Sequence, residues 1–287
     1  MTTRTSPVPA EGQDERAAAP AMTLTIAGSE ATGGAGAQAD LKTFQELGTF
    51  GIVALTCIVS FDPANNWNHR FVPVDAAVIG DQIEAILADY TPEQLDTIKL
   101  GMMGSPETID TVAASLKDRP VRNLVLDPVL ICKGQEPGHA LDTDNALKTQ
   151  LLPQATFVTP NHFETEQLSG MSVGSVDELR AAAAEIHRIS GAAVLAKGGI
   201  RLAGPDAVDV FVDESGSEVL SAPKVGEHAV SGAGCSLAAA VAAELAKGAS
   251  PIEAARRAKD FVTAGIGQRV SGGTPFDALW QGGLRAR

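Results

Sequence analysis

The chain has 287 residues, a formal net charge of −13 at pH 7 and 44% hydrophobic residues, enough apolar material for one large α/β core. So acidic a chain lacks the Lys and Arg excess that neutralises nucleic-acid phosphates, which argues against a nucleic-acid partner; a small anion held by backbone N–H groups is still allowed. Cys57, Cys132 and Cys235 show no C-x-x-C spacing, so neither a disulfide framework nor a zinc site is expected, and the thiols fit a reducing, cytoplasmic setting.

Residues 1–21 mix Pro, Ala and charge without a continuous apolar stretch, and are expected to be a disordered tail ahead of one domain over 22–287. Nowhere do about 18 uninterrupted apolar residues occur, so no membrane span is expected. From Met22 onward, apolar runs at 22–28, 50–59, 96–101, 122–128, 155–160 and 192–199 alternate with helical spacing at 37–48, 76–90, 105–118, 145–153 and 176–190. The runs are apolar throughout, as strands buried on both faces are. This alternation predicts βαβ units and an α/β fold: a mostly parallel central sheet flanked by helices on both faces. At 207–223 the pattern changes to two strands around Glu-Ser-Gly-Ser, a hairpin. Two helices follow, the second marked by Ser250 as N-cap, Pro251 at the first helical position and Glu253 to close a capping box.

Open parallel sheets take ligands beyond the carboxyl ends of their strands, and the unusual residues collect there. "AGSEATGGAGAQADLKT" (27–43) leads from the first strand through a glycine-rich turn into a helix. It has neither a Walker ending nor G-x-G-x-x-G, and reads equally as a ligand loop or as a tight turn. "VSGAGCS" (230–236) is the second such turn. At a helix N-terminus, Gly232, Ala233 and Gly234 could hold a developing phosphoryl charge, and the same field favours a thiolate at Cys235. The alternative for Cys235 is a small buried hydrophobe.

Asp127 in "VLDPV" ends a strand where a carboxylate could meet Mg²⁺ or its water shell, although Asp-Pro is also an ordinary turn. Asn161 and Glu164 could contact a metal–nucleotide pair, but their spacing is also that of an N-cap and its partner, and one residue can do both if the helix start faces the site. Lys197 stands just past an apolar run, either as a phosphate partner or as a solvent-exposed lysine. The five histidines show no metal-ligand spacing, and Trp67 reads as part of a lid or as a packed aromatic.

In this order, "AGSEATGGAGAQADLKTFQELG", "KLGMMGS", "LDPVLICKG", "LLPQATFVTPNHFETEQLSG", "AKGG" and "GAGCSLAAA" resemble the ribokinase-like kinases of vitamin precursors. That branch includes hydroxymethylpyrimidine kinases and the bacterial pyridoxal kinases related to them, and the likeness spans about residues 22–270. It implies a ribokinase-like fold, ATP and Mg²⁺ as cofactors, a homodimer, and transfer of the γ-phosphate to a primary alcohol on a heteroaromatic ring. By resemblance Cys235 takes the catalytic position, with Gly232, Ala233 and Gly234 as its anion hole. Asp127 and Glu164 fall to the metal, and Asn161, Glu164, Lys197 and Gly199 to the nucleotide. Gly28, Ser29, Glu30, Gly34, Ile58 and Met102 fall to the acceptor.

The pyrimidine kinases usually carry Gln where this chain has Ile58, and an aliphatic chain cannot pair with a pyrimidine. "LICKGQE", "SFDPANNWNHRF" and Gly-Ala-Gly-Cys are more similar to the pyridoxal kinases. The expected acceptor is therefore pyridoxal, pyridoxine or pyridoxamine, in salvage of vitamin B6 to pyridoxal 5′-phosphate. The alternatives are the pyrimidine alcohol or its monophosphate, and a catalytically weak vitamer-binding protein. The last is motivated by Glu30, where the family generally has Asp, and by Ser231, where it usually has His.

Overall fold

Each apolar run identified above becomes a strand in the computed structural model, which describes residues 19–130 and 137–286. Most of the expected tail, residues 1–18, and most of the "LICKGQE" segment with Cys132 lie outside the described residues. In chain order the elements are β1 (Met22–Glu30), α1 (Gly36–Glu46), β2 (Phe50–Asp62), β3 (Asn68–Pro73), α2 (Ala76–Asp89), β4 (Thr97–Leu100), α3 (Pro106–Leu116), β5 (Asn123–Leu126) and α4 (Pro137–Ala146). There follow β6 (Phe157–Val158), α5 (His162–Ser169), α6 (Val176–Ser190), β7 (Ala193–Lys197), β8 (Asp206–Asp213), β9 (Gly216–Pro223), α7 (Ala233–Ala246) and α8 (Pro251–Gly267).

One sheet runs in the order β3-β2-β1-β4-β5-β6-β7-β8-β9. Pairings from β2 through β7 are parallel, while β3, β8 and β9 add antiparallel edges. The sheet is thus mostly parallel and covered on both faces. On one face Leu24, Ile26, Ile98 and Leu126 pack with Ile79 and Ile83 of α2, Ile109 of α3 and Ile186 of α6. On the other, Val125, Phe157 and Leu195 pack with Phe44 of α1 and the alanine-rich α7, behind which lies α8. From Ser236 to Leu245 every residue of α7 is buried, as expected of a helix that is apolar all round.

Three elements differ from the sequence expectation. β2 runs on to Asp62 and folds back as β3, an exposed edge strand whose "NHRFVP" carries no apolar alternation. The run at 155–160 contributes only Phe157 and Val158 to the sheet, because Pro160 cannot extend the ladder. The helix expected at 145–153 is instead the end of α4, a wide π-turn at Leu147–Leu151 and a 3₁₀ turn at Leu152–Gln154, where Pro153 lacks the N–H an α-helix needs. The hairpin at 207–223 is present as β8–β9, and the Glu253 carboxylate accepts from the Ser250 N–H at 3.1 Å, as the capping box predicts.

Candidate active site

Two glycine turns meet at the carboxyl end of the sheet. Gly232 precedes α7 with φ 76°, and a β-carbon there would stand 1.8 Å from the Gly34 carbonyl oxygen. Gly36, with φ 62°, opens α1 so close to β1 that its β-carbon would stand 2.3 Å from the Gly28 oxygen. Only glycine fits either place. The Gly36 amide of the first turn lies near enough to the Cys235 sulfur to favour its anion, so the two turns approach each other at the thiol. No side chain caps α7, and the Ala233 N–H turns back to Val230 O at 3.3 Å. Among the described residues, the Gly234 and Cys235 N–H groups are therefore the uncapped donors of this turn, at the positive end of the helix dipole.

Burial opposes the thiolate expected at Cys235. Burial pushes the thiol up to about 11, and the nearby Lys99 ammonium and the Gly36 N–H only partly oppose this. Desolvation thus disfavours the thiolate here.

A cavity of ≈ 800 Å³ opens on one side of the turn and brings together Asp127, Asn161, Glu164, Lys197 and Gly199 with Gly232 to Cys235. Lys197 Nζ lies 3.5 Å from Asp127 Oδ1 and 3.6 Å from where a Gly234 β-carbon would be, so the cation sits above the start of α7. Asn161 and Glu164 form the capping box of α5: Asn161 Oδ1 accepts from the Glu164 N–H at 3.0 Å, and Glu164 Oε2 accepts from the Asn161 N–H at 2.7 Å. Both nevertheless line the cavity, so cap and candidate ligand coincide. Burial pushes the Glu164 carboxyl up to about 8, against the pull of Lys197 and with added repulsion from Asp127.

The expected acceptor residues lie beyond the turn. A β-carbon on Gly28 would meet Cys57 Sγ at 2.4 Å and Met102 Sδ at 3.7 Å, which places Met102 beside the end of β1. Ser29 pairs with Ile58 in the sheet, and Ile58 pairs with Val72 of β3; both Ile58 and Val72 are exposed. Glu30 is spent on its own loop: its carboxylate accepts from the N–H groups of Thr32 (2.6 Å), Gly34 (2.9 Å) and Ala35 (3.1 Å). The longer arm folds back and fixes the turn that touches Gly232. Ser231 Oγ stands 3.6 Å from the position of a Gly34 β-carbon. None of the six acceptor residues borders the ≈ 800 Å³ cavity. Trp67, with φ 58°, packs against Gly273, its ring 3.4 Å from where a β-carbon would be, while the Phe61 and Phe276 rings meet at a tilt, 5.3 Å between centroids. The β2–β3 hairpin thus rests on the 271–276 loop.

Two ion pairs escaped the sequence reading. Lys259 and Asp209, 2.8 Å apart and buried, border the cavity. Lys99 and Asp40, also 2.8 Å apart, are wholly enclosed beneath Cys235's helix. The signal for both was a charge inside a run otherwise apolar enough to be buried.

Among the described residues no group of three or more His, Cys, Asp or Glu could hold a metal alone, and no helix is long and apolar enough to cross a membrane. A sheet with its ligand groups at the carboxyl ends, and an uncapped helix start bordering the cavity, give an anion-binding site in a protein of the α/β class.

The phosphomethylpyrimidine kinase family model matches residues 30–278, and the chain belongs to this family. It is 46% identical over 249 residues to a Bacillus subtilis pyridoxine kinase, covering 85% of this chain and 89% of that protein. The Staphylococcus aureus pyridoxal kinase solved with AMP-PCP and pyridoxal superposes with a TM-score of 0.84 at 37% identity, covering 93% of this chain and 95% of that one. A Streptomyces coelicolor hydroxymethylpyrimidine/phosphomethylpyrimidine kinase is 40% identical over 266 residues, or 91% of this chain and 95% of that one.

Proposed function

We propose that this protein transfers the γ-phosphate of ATP to the primary hydroxymethyl group of pyridoxal, pyridoxine or pyridoxamine, in vitamin B6 salvage. The observation that carries the reading is the position of the Gly232–Cys235 turn. It borders the ≈ 800 Å³ cavity on one side, and on the other abuts the Gly34 loop at the end of β1. A phosphoryl group passing from nucleotide to acceptor would cross that turn.

In this reading the cavity takes ATP, with Lys197 neutralising its phosphates and Asn161, Glu164 and Gly199 along its wall. The Gly234 and Cys235 N–H groups stabilise the transferring phosphoryl group, and the Cys235 sulfur, once its own proton has passed to water, takes the acceptor's hydroxyl proton. Most of the acceleration comes from alignment. The oxygen donors of Asp127 and Glu164 fit Mg²⁺, which uses one or two carboxylates and completes its shell with water and phosphate. The half-buried Lys197, 3.5 Å from Asp127, stands in a cavity lined by both carboxylates and cations, which suits phosphate and cation together. When bound, Mg²⁺ would spread the charge of the phosphates. A homodimer and a cytoplasmic location belong to the same proposal.

The likeness to pyrimidine kinases favours a second acceptor, the pyrimidine alcohol or its monophosphate. The test is an ATP-dependent assay across the three B6 vitamers and the pyrimidine alcohol, with the product identified by mass. Phosphorylated vitamer is the expected product. Only phosphorylated pyrimidine, or vitamer binding without ATP consumption, overturns the reading.

A further inference from the structure

The segment that follows α8 returns to the site. Val270 and Ala278 exchange both backbone hydrogen bonds, at 2.8 and 2.9 Å, and so close a short loop over residues 271–277. Asp277 ties its neck: Oδ2 accepts from Arg269 Nε at 2.9 Å, and Oδ1 from Ser271 Oγ at 2.7 Å. Around this neck the chain is stitched to the start of α7. The Ser231 N–H donates to Asp277 O at 2.8 Å, and the Leu279 N–H donates to Ser231 O at 3.0 Å. Gln281 Nε2 donates to the buried Ser236 Oγ at 3.1 Å. The Ala278 methyl stands 3.1 Å from the β-carbon position of Gly34, so the segment also reaches the loop that Glu30 fixes. At its far end the loop touches the β2–β3 hairpin, Gly273 against Trp67 and Phe276 against Phe61, and Phe61 shares β2 with Ile58.

Resting on the kinase reading above, we infer that residues 270–281 form a strap, with Asp277 as its positioning residue, that sets the Gly232–Cys235 turn relative to the hairpin bordering the acceptor. The turn has no side-chain cap of its own, and the strap holds it through its backbone at Ser231, so the two move together. The neck itself is partly exposed, Asp277 by 35% and Arg269 by 37%, and such a pair adds little to the stability of the fold. Its effect falls on alignment, where a displacement of about 1 Å can cost about 10²-fold in rate.

The test is hydrogen–deuterium exchange of the full chain, read by mass at the hydrogen-bonded Ser231 and Ser236 amides, with α6 as internal reference. Trp67→Ala alters only the hairpin end of the strap, and Asp277→Ala only its neck. Both are expected to speed exchange at Ser231 and Ser236 by about tenfold while α6 exchanges as in wild type. In turnover with pyridoxal and Mg·ATP, each variant should lower kcat and raise KM for pyridoxal by about tenfold, with the dissociation constant of ATP within about twofold of wild type. Because both substitutions cut one strap, the double variant should fall no further than the weaker single one. Wild-type exchange at Ser231 and Ser236 in Trp67→Ala overturns the inference and leaves the kinase reading standing. Acceleration that includes α6, or effects of the two substitutions that multiply, overturns it as well. A wild-type protein that phosphorylates no vitamer overturns the kinase reading instead, and the exchange rates still decide whether the hairpin and the turn are strapped together.

Discussion

The Gly232 α-carbon faces the Gly34 carbonyl oxygen so closely that a β-carbon would lie 1.8 Å away. The contact joins the turn that precedes Cys235 to the loop fixed by Glu30. In the proposed reading, with the nucleotide on one side and the acceptor on the other, it makes the spacing of the two substrates a backbone property rather than a side-chain one.

Gly232→Ala is therefore expected to do more than strain a turn. A left-handed residue costs about 1–2 kcal/mol once it has a β-carbon, and here the clash adds a displacement of the turn. Gly48 is the reference, with φ 76° and nothing within 4 Å of its β-carbon position. Gly48→Ala should lower Tm modestly and leave kcat alone, while Gly232→Ala lowers kcat by about 10²-fold or more through loss of the aligned donors. Equal kinetics in the two variants would show that the contact does not organise the site.

Lys197→Met tests the nucleotide side. The ammonium lies 3.5 Å from Asp127 and borders the cavity. Its loss should lower kcat/KM for ATP by about 10²-fold, the order seen when one charge-stabilising group is removed. Since Asp127 then loses its cation, the apparent Mg²⁺ requirement should fall rather than rise, the divalent ion no longer competing with Lys197. Steady-state titration of ATP at several Mg²⁺ concentrations distinguishes this from simple unfolding.

The parallel strands were legible because burial on both faces demands unbroken apolar runs, as in "TIKL" and "NLVL". β3 was not, since an exposed edge paired on one side needs no pattern at all. Of the site, the glycine turns and the strand-end Asp127 stood out because their residue types have few other uses. What sequence could not give was direction. Glu30 looked like an arm toward the acceptor, but the amides of Thr32, Gly34 and Ala35 lie within reach and claim it. Lys99 carries no motif in the sequence, and the structure encloses it beside Asp40 of α1 and under α7.

Glu164→Gln separates the capping role from the ligand role. Gln still accepts from the Asn161 N–H, so α5 keeps its start, whereas Glu164→Ala loses the cap at a cost of about 1 kcal/mol. Burial raises the Glu164 carboxyl from 4.5 to about 8, so the folded state holds a proton that the unfolded chain releases. That contribution is fully present below 4.5 and is lost as pH rises toward 8. Without Mg²⁺, Glu164→Gln should therefore unfold at the wild-type denaturant midpoint in acid and at a higher one above neutrality. With Mg²⁺ it should need about tenfold more metal for half-maximal turnover. A wild-type Mg²⁺ dependence would confine Glu164 to the cap.

The proposed choice of ring rests on Ile58. It pairs with Ser29 at the end of β1, is 42% exposed, and sits opposite Val72 rather than in the core. A substitution there changes the surface offered to the acceptor while changing stability by only about 0.5 kcal/mol. Gln restores an amide able to pair with a pyrimidine, and a site with polar groups for a polar ligand gains selectivity from every pair it completes. Ile58→Gln is thus expected to shift the ratio of kcat/KM, pyrimidine alcohol over pyridoxal, upward by roughly 10- to 100-fold. Most of the change should come from the pyrimidine, because pyridoxal loses only apolar contact. The two substrates compete in one tube and the products are counted by mass, so enzyme concentration cancels. An unchanged ratio would move ring selection from this strand to Met102 or to the loop that Glu30 holds.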